Sequence, residues 1–119
     1  MDENSFAALK ARWSALVEQL SNQFDEELDL QGIIFLIGVQ ELGKGYRKFS
    51  KDEKQDLMHI ATCRLLSRLD YYEFEGKDKE GWPHWRLKKA FPPMSLKEQD
   101  IMLKQCVLDY FEENQLNAS

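Results

Sequence analysis

Leu30-Gln31-Gly32-Ile33-Ile34-Phe35-Leu36-Ile37-Gly38-Val39-Gln40-Glu41-Leu42 holds the longest apolar run of the chain, and its reading decides the fold class. A buried strand is one reading, because four of the seven residues from Ile33 to Val39 are β-branched, and branched side chains suit a pleated surface. A helix is the other. Ile33, Ile34, Phe35, Leu36 and Ile37 would be apolar all round, which describes a helix buried on most sides. The segment is thirteen residues long, with Asp29 ahead of it as a cap and Gly43 behind it as the C′ residue. Those signals favour helix over 30–42. As a helix, Ile33 to Val39 would be roughly 10 Å long, against the ~30 Å of a bilayer core, so no membrane span is expected.

On the N-terminal side, Leu9, Trp13, Leu16, Leu20, Phe24 and Leu28 recur at spacings of three and four. This is one face of a helix over about 4–28, with Lys10, Arg12, Glu18 and Asn22 on the others. On the C-terminal side, Gly43 to Phe49 reads as a loop. Ser50-Lys51-Asp52-Glu53 then forms a capping box, in which the hydroxyl and the carboxylate each accept an amide of the first turn. The helix it opens carries Leu57, Ala61, Leu65 and Leu69 four apart and is expected over 50–72. A second capping box, Ser95-Leu96-Lys97-Glu98, opens a last helix over 95–114, behind the helix-breaking Pro92-Pro93. Asn114 to Ser119 is expected to fray.

Between these two helices lies an excursion, 73–94. Tyr72-Glu73-Phe74-Glu75 and Trp85-Arg86-Leu87-Lys88 alternate like strands around the turn-forming Lys77-Asp78-Lys79-Glu80-Gly81. The expected fold is all-α: an up-down-up-down four-helix bundle in one domain, 1–119, with a loop or small β-hairpin between the third and fourth helices.

The 119 residues, 43% hydrophobic and 31% charged, have the composition of an ordinary soluble globular protein. A net charge of −5 disfavours broad binding to nucleic acid or to an anionic membrane. The start, Met1-Asp2-Glu3-Asn4, lacks the basic and apolar regions of a signal peptide. A cytoplasmic protein with Cys63 and Cys106 reduced is therefore expected.

Gly81-Trp82-Pro83-His84-Trp85 concentrates two of the three tryptophans and one of the two histidines in a polar stretch. The two rings either close the bundle as a lid or present a binding surface, with Trp82, His84, Trp85 and Arg86 as its residues. Two basic clusters interleave with aromatics: Lys44, Arg47, Lys48 and Lys51 around Tyr46 and Phe49, and Arg86, Lys88 and Lys89 after Trp85. Such a pattern can hold phosphates and stack bases. A helix of roughly 33 Å between them would set the clusters at opposite ends, unless the excursion folds back along the bundle. His59 and Cys63 are four apart, and antiparallel packing of the last two helices would bring Cys106 beside Ala61, within their reach. Three soft ligands could take zinc or copper, but the spacing matches no zinc signature and a fourth ligand is missing. Glu41 continues the Ile33–Ile37 face. It is expected to reach water from the last helical turn, since an inward carboxylate would need a partner. No catalytic constellation, metal site or cofactor is expected.

Tyr71-Tyr72-Glu73-Phe74-Glu75-Gly76, Gly81 to Trp85, and Pro93-Met94-Ser95-Leu96-Lys97-Glu98-Gln99 resemble segments of small, uncharacterised bacterial proteins. The resemblance covers the C-terminal third to half of the chain and implies no activity. The sequence thus points to a non-enzymatic helical protein that binds another protein or itself, for instance as a homodimer. Nucleic-acid binding through the basic loops is one alternative, and a metal- or thiol-dependent protein centred on His59, Cys63 and Cys106 is another.

Overall fold

Asp29 accepts the amide of Gly32 through its side chain at 2.9 Å, and Gly43 closes the other end in the left-handed conformation at φ 73°. Between these caps the apolar run is a helix. This computed structural model describes residues 3–114, with side chains from Phe6 onward. In chain order its elements are α1 (Glu3–Phe24), α2 (Leu30–Leu42), α3 (Lys51–Ser67), β1 (Tyr72–Lys77), β2 (Pro83–Leu87) and α4 (Leu96–Glu113). The fold is the expected four helices with an antiparallel hairpin between the last two. Both capping boxes form, each with its two reciprocal bonds. Of the stretch expected to fray, 114–119, Asn114 caps α4, its N–H on the Tyr110 carbonyl at 2.9 Å, and 115–119 lie outside the described residues.

Two helices end earlier than expected, and for one reason. The chain leaves α1 through Asp25 at φ 52° and turns away from α3 through Asp70 at φ 67°. At the first exit Glu26 N–H bonds the Ser21 carbonyl and Asp25 N–H that of Asn22; at the second, Tyr71 N–H bonds Leu66 and Asp70 N–H bonds Ser67. These are Schellman closures, usually built on glycine. With aspartate in that position the sequence carries no stop signal. Leu28 still packs on the core from the loop after α1. Leu69, counted on the α3 stripe, falls beyond the helix and is 43% exposed. Tyr72 joins β1 instead, opposite Leu87.

The main core gathers Leu9, Leu16 and Leu20 of α1, Ile33, Ile34 and Ile37 of α2, Ala61, Leu65 and Leu66 of α3, and Cys106, Val107, Leu108 and Tyr110 of α4. The closest helix approach is α2 on α3. A Cβ built on Gly38 would stand 2.2 Å from the Leu57 carbonyl oxygen, so only glycine fits. Beside this crossing a second apolar cluster forms from Val39, Leu42, Phe49 and Leu57, with Phe35 and Trp82 packed against it.

Trp82 therefore fixes where the hairpin lies. β1 and β2 run back along α3 with the register Tyr72–Leu87, Glu73–Arg86 and Phe74–Trp85, then a bulge between Phe74 and Gly76. The hairpin base stands beside Thr62 and Leu66, and its turn beside Glu53 and Asp56. Lys44 bonds the Glu80 carbonyl. The turn is thus tied to the Lys44–Phe49 loop, while Lys88 and Lys89 stay at the hairpin base on Asp70 and Tyr71, so the two basic clusters lie at opposite ends of α3 although the excursion folds back along it. The area available to Trp82 on the second cluster holds the hairpin turn against the start of α3.

Candidate functional site: the cleft between the third helix and the hairpin

Asp78 organises the hairpin turn. Its Oδ1 accepts the amides of Glu80 at 2.9 Å and Trp82 at 3.0 Å, while Oδ2 lies 2.9 Å from His84 Nε2. These bonds, the one to His84 foremost, hold its carboxyl below the usual value. Gly81 adopts φ 86°, the left-handed step that brings Trp82 back toward the bundle. Trp82 is half-buried and Pro83 is buried, but His84 is exposed, as a strand alternates its sides.

Between this turn and α3 lies an open cleft of about 420 Å³. The hairpin contributes Asp78, Glu80, Trp82, Pro83, His84 and Trp85, and α3 contributes Glu53, Asp56, His59 and Ile60. Both histidines and two of the three tryptophans of the chain line it. The expected site residues Trp82, His84 and Trp85 are thus brought together. Arg86 is not with them. It does not line the cleft, but pairs with Glu73 and lies 3.8 Å from Glu75. Trp85 packs its ring on Phe74 at 5.3 Å between centroids, and its Nε1 is buried with no acceptor among the described residues.

The four carboxylates of the cleft differ in what they have left to offer. Glu53 is occupied by Arg47 at 2.8 Å and by the Ser50 amide at 2.9 Å. The Arg47 guanidinium, then the Ser50 amide, pull its pKa down to about 2. Asp78 is occupied by His84 and the turn amides. Asp56 and Glu80 have exposed side chains with no ion pair or hydrogen bond among the described residues. These two were not singled out in the sequence. Nothing in their spacing, twenty-four positions apart, signals that the hairpin will bring them to one cleft.

The apolar side of the hairpin extends the cleft into a strip. Tyr72, Phe74, Trp85 and Leu87 share one face by register. Tyr72 lies edge-on to His59, at 6.4 Å between centroids, and Trp85 meets the cleft, yet Phe74 and Leu87 each remain 50% exposed. Past Tyr72 the strip reaches Phe91, 37% exposed, at the rim of an apolar hollow of about 280 Å³ lined by Leu66, Met94, Met102 and Leu103.

The basic groups are largely spoken for within the fold. Arg47 lies on the Phe49 ring at 4.4 Å as well as on Glu53. Lys88 pairs with Asp70 at 2.8 Å, and Lys89 covers Tyr71 at 4.6 Å. The thiol–imidazole cluster does not assemble as a site. His59 Nε2 meets Cys63 Sγ at 3.5 Å, but among the described residues no three His, Cys, Asp or Glu side chains converge on a metal position. Burial pushes both Cys63 and Cys106 up to about 11, leaving them as protonated core thiols. Glu41, expected in water, turns to Tyr110 and Arg64 instead, at 2.8 and 3.4 Å.

No helix of the described residues is long and apolar enough to cross a membrane. No protein-family model matches the chain, and no curated protein or solved structure matches it.

Proposed function

We propose that this is a non-enzymatic binding protein that engages a partner protein, or a second copy of itself, on the hairpin side of the bundle. One observation carries the reading: the apolar hairpin face is only half covered, with Phe74 and Leu87 each 50% exposed beside the tryptophan cleft. Rings and aliphatic side chains left open in a connected strip are the material of interface hot spots. Trp82 serves the fold as a lid over the second apolar cluster, while Trp85 and the strip serve the partner. A cytoplasmic setting accords with two free, buried cysteines.

Light scattering over a concentration series, together with capture of a defined partner, tests this on the wild type and on Phe74→Ser/Leu87→Ser. Dimer or complex lost in a variant that keeps its fold supports the reading. A monomer whose partners are unchanged by the variant refutes it.

Nucleic-acid binding is the second reading, supported by Tyr46, 67% exposed beside Lys48 and Lys51. Salt-dependent binding of labelled oligonucleotides, lost in Tyr46→Ala, is its test.

A further inference from the structure

We infer that the cleft between α3 and the hairpin receives a cationic side chain, lysine or arginine, carried by an extended basic segment of a partner protein. This rests on the hairpin side being the binding face and names the chemistry of its occupant. The cleft, about 420 Å³, has room for a long side chain with part of its backbone. Two indoles line it, and indole is the aromatic surface that attracts a cation best. Its charge is unbalanced in one direction. Glu53 and Asp78 spend their oxygens on Arg47, Ser50, His84 and the turn amides, but Asp56 and Glu80 retain theirs. An incoming ammonium or guanidinium would be the first hydrogen-bonding partner of either carboxylate within the described structure.

A second observation, independent of the acidic groups, points to a peptide rather than a bare cation. Trp85 Nε1 is a buried donor without an acceptor. A buried, unmet N–H is costly, so native structures rarely keep one. A peptide carbonyl reaching it after a small shift of the indole would satisfy it, and a polyamine, which has no acceptor to offer, would not. The net charge of −5 favours encounter with a basic partner over an acidic one.

The test measures binding of a short capped peptide alternating glycine and arginine against the same peptide with citrulline, by fluorescence anisotropy. Spermidine is titrated as a competitor. The variants are Asp56→Asn/Glu80→Gln in the cleft and, as a charge-matched control, the exposed Glu26→Gln/Glu27→Gln, each checked for folding by circular dichroism. The arginine peptide should bind roughly tenfold tighter than the citrulline one, and the cleft variant should lose roughly tenfold while the control loses little. Trp85→Phe should weaken the arginine peptide further than it weakens competition by spermidine. No binding of either peptide, or equal loss in both charge variants, overturns the proposal. Spermidine binding as tightly as the peptide overturns it in favour of a free polyamine. Equal binding of both peptides that is lost in Phe74→Ser/Leu87→Ser removes the cationic occupant but leaves the binding face standing. If that last variant binds as the wild type does, the binding face itself falls.

Discussion

Tyr110 donates its hydroxyl proton to Glu41 Oε2 at 2.8 Å, joining the last turn of α2 to α4. The Tyr110 hydroxyl oxygen in turn accepts from Gln40 Nε2 at 2.9 Å, and Arg64 of α3 closes the network on Glu41 at 3.4 Å. The ring of Tyr110 is fully buried, so its hydroxyl could not have been left without partners. Tyr110→Phe should cost about 1–2 kcal/mol, because it strips Glu41 and Gln40 of a partner in a half-buried site. Urea unfolding measures it. Burial first, then the bond to Glu41, raises the Tyr110 hydroxyl well above its usual value of 10.0. A raised tyrosine pKa means the folded state holds a proton that the unfolded state releases. Stability from this group is complete below pH 10 and is lost as pH rises beyond it. In a spectroscopic alkaline titration, one tyrosine should ionise only with unfolding, and that late step should vanish in Tyr110→Phe.

Gly38→Ala should destabilise by about 2–3 kcal/mol, since the added methyl meets the Leu57 main chain and forces α2 away from α3. The penalty outweighs the gain of roughly 1 kcal/mol that alanine usually brings to a helix interior. Thermal and urea unfolding should both report a loss, and an unchanged or raised midpoint would contradict the close crossing.

Trp82→Ala should cost about 2–3 kcal/mol, less than for a fully buried ring because Trp82 is only half-buried. Hydrogen exchange should then quicken across β1 and β2 more than across α4. The hairpin depends on this ring for its seat on Val39, Leu42, Phe49 and Leu57, and α4 does not.

Glu53→Gln should lower stability at neutral pH and leave it nearly unchanged near pH 2. The folded pKa of Glu53, about 2, lies below the ordinary 4.5, chiefly through Arg47. A depressed carboxylate stabilises above its unfolded value. Its contribution fades as pH falls from about 4.5 toward about 2. Acid titrations of the wild type and the variant should therefore converge in that window.

Asp25→Gly should stabilise by about 0.5 kcal/mol, the relief of a left-handed residue set against the greater chain entropy of glycine. A rise of a few degrees in melting temperature is the expected reading. Asp70 is the poorer position for this change, because its carboxylate also pairs with Lys88.

These two aspartates also show where sequence reading reached its limit. The start of every helix with a side-chain cap was legible, because Asp29, Ser50 and Ser95 act within three residues of themselves. The end of α2 was legible through Gly43. The ends of α1 and α3 were overrun by four and five residues, because the apolar spacing continues past an aspartate that turns left-handed without advertising it.

Local signals in the sequence therefore placed the four helices and the two capping boxes, favoured helix over strand for Leu30–Leu42, and left a loop or a hairpin open around Lys77–Gly81. Each depends on spacing and chemistry within a few residues. Only the tertiary structure decided where that hairpin lies. Trp82 finds its apolar seat on residues 25 to 43 positions away, and the whole excursion folds back along α3 to bury it. That one packing choice drew Asp56 and Glu80 to a shared cleft and set the Lys44 loop against the turn. Burial of apolar area carries no sequence-local mark of its partner, so the cleft could be read only once the chain was folded.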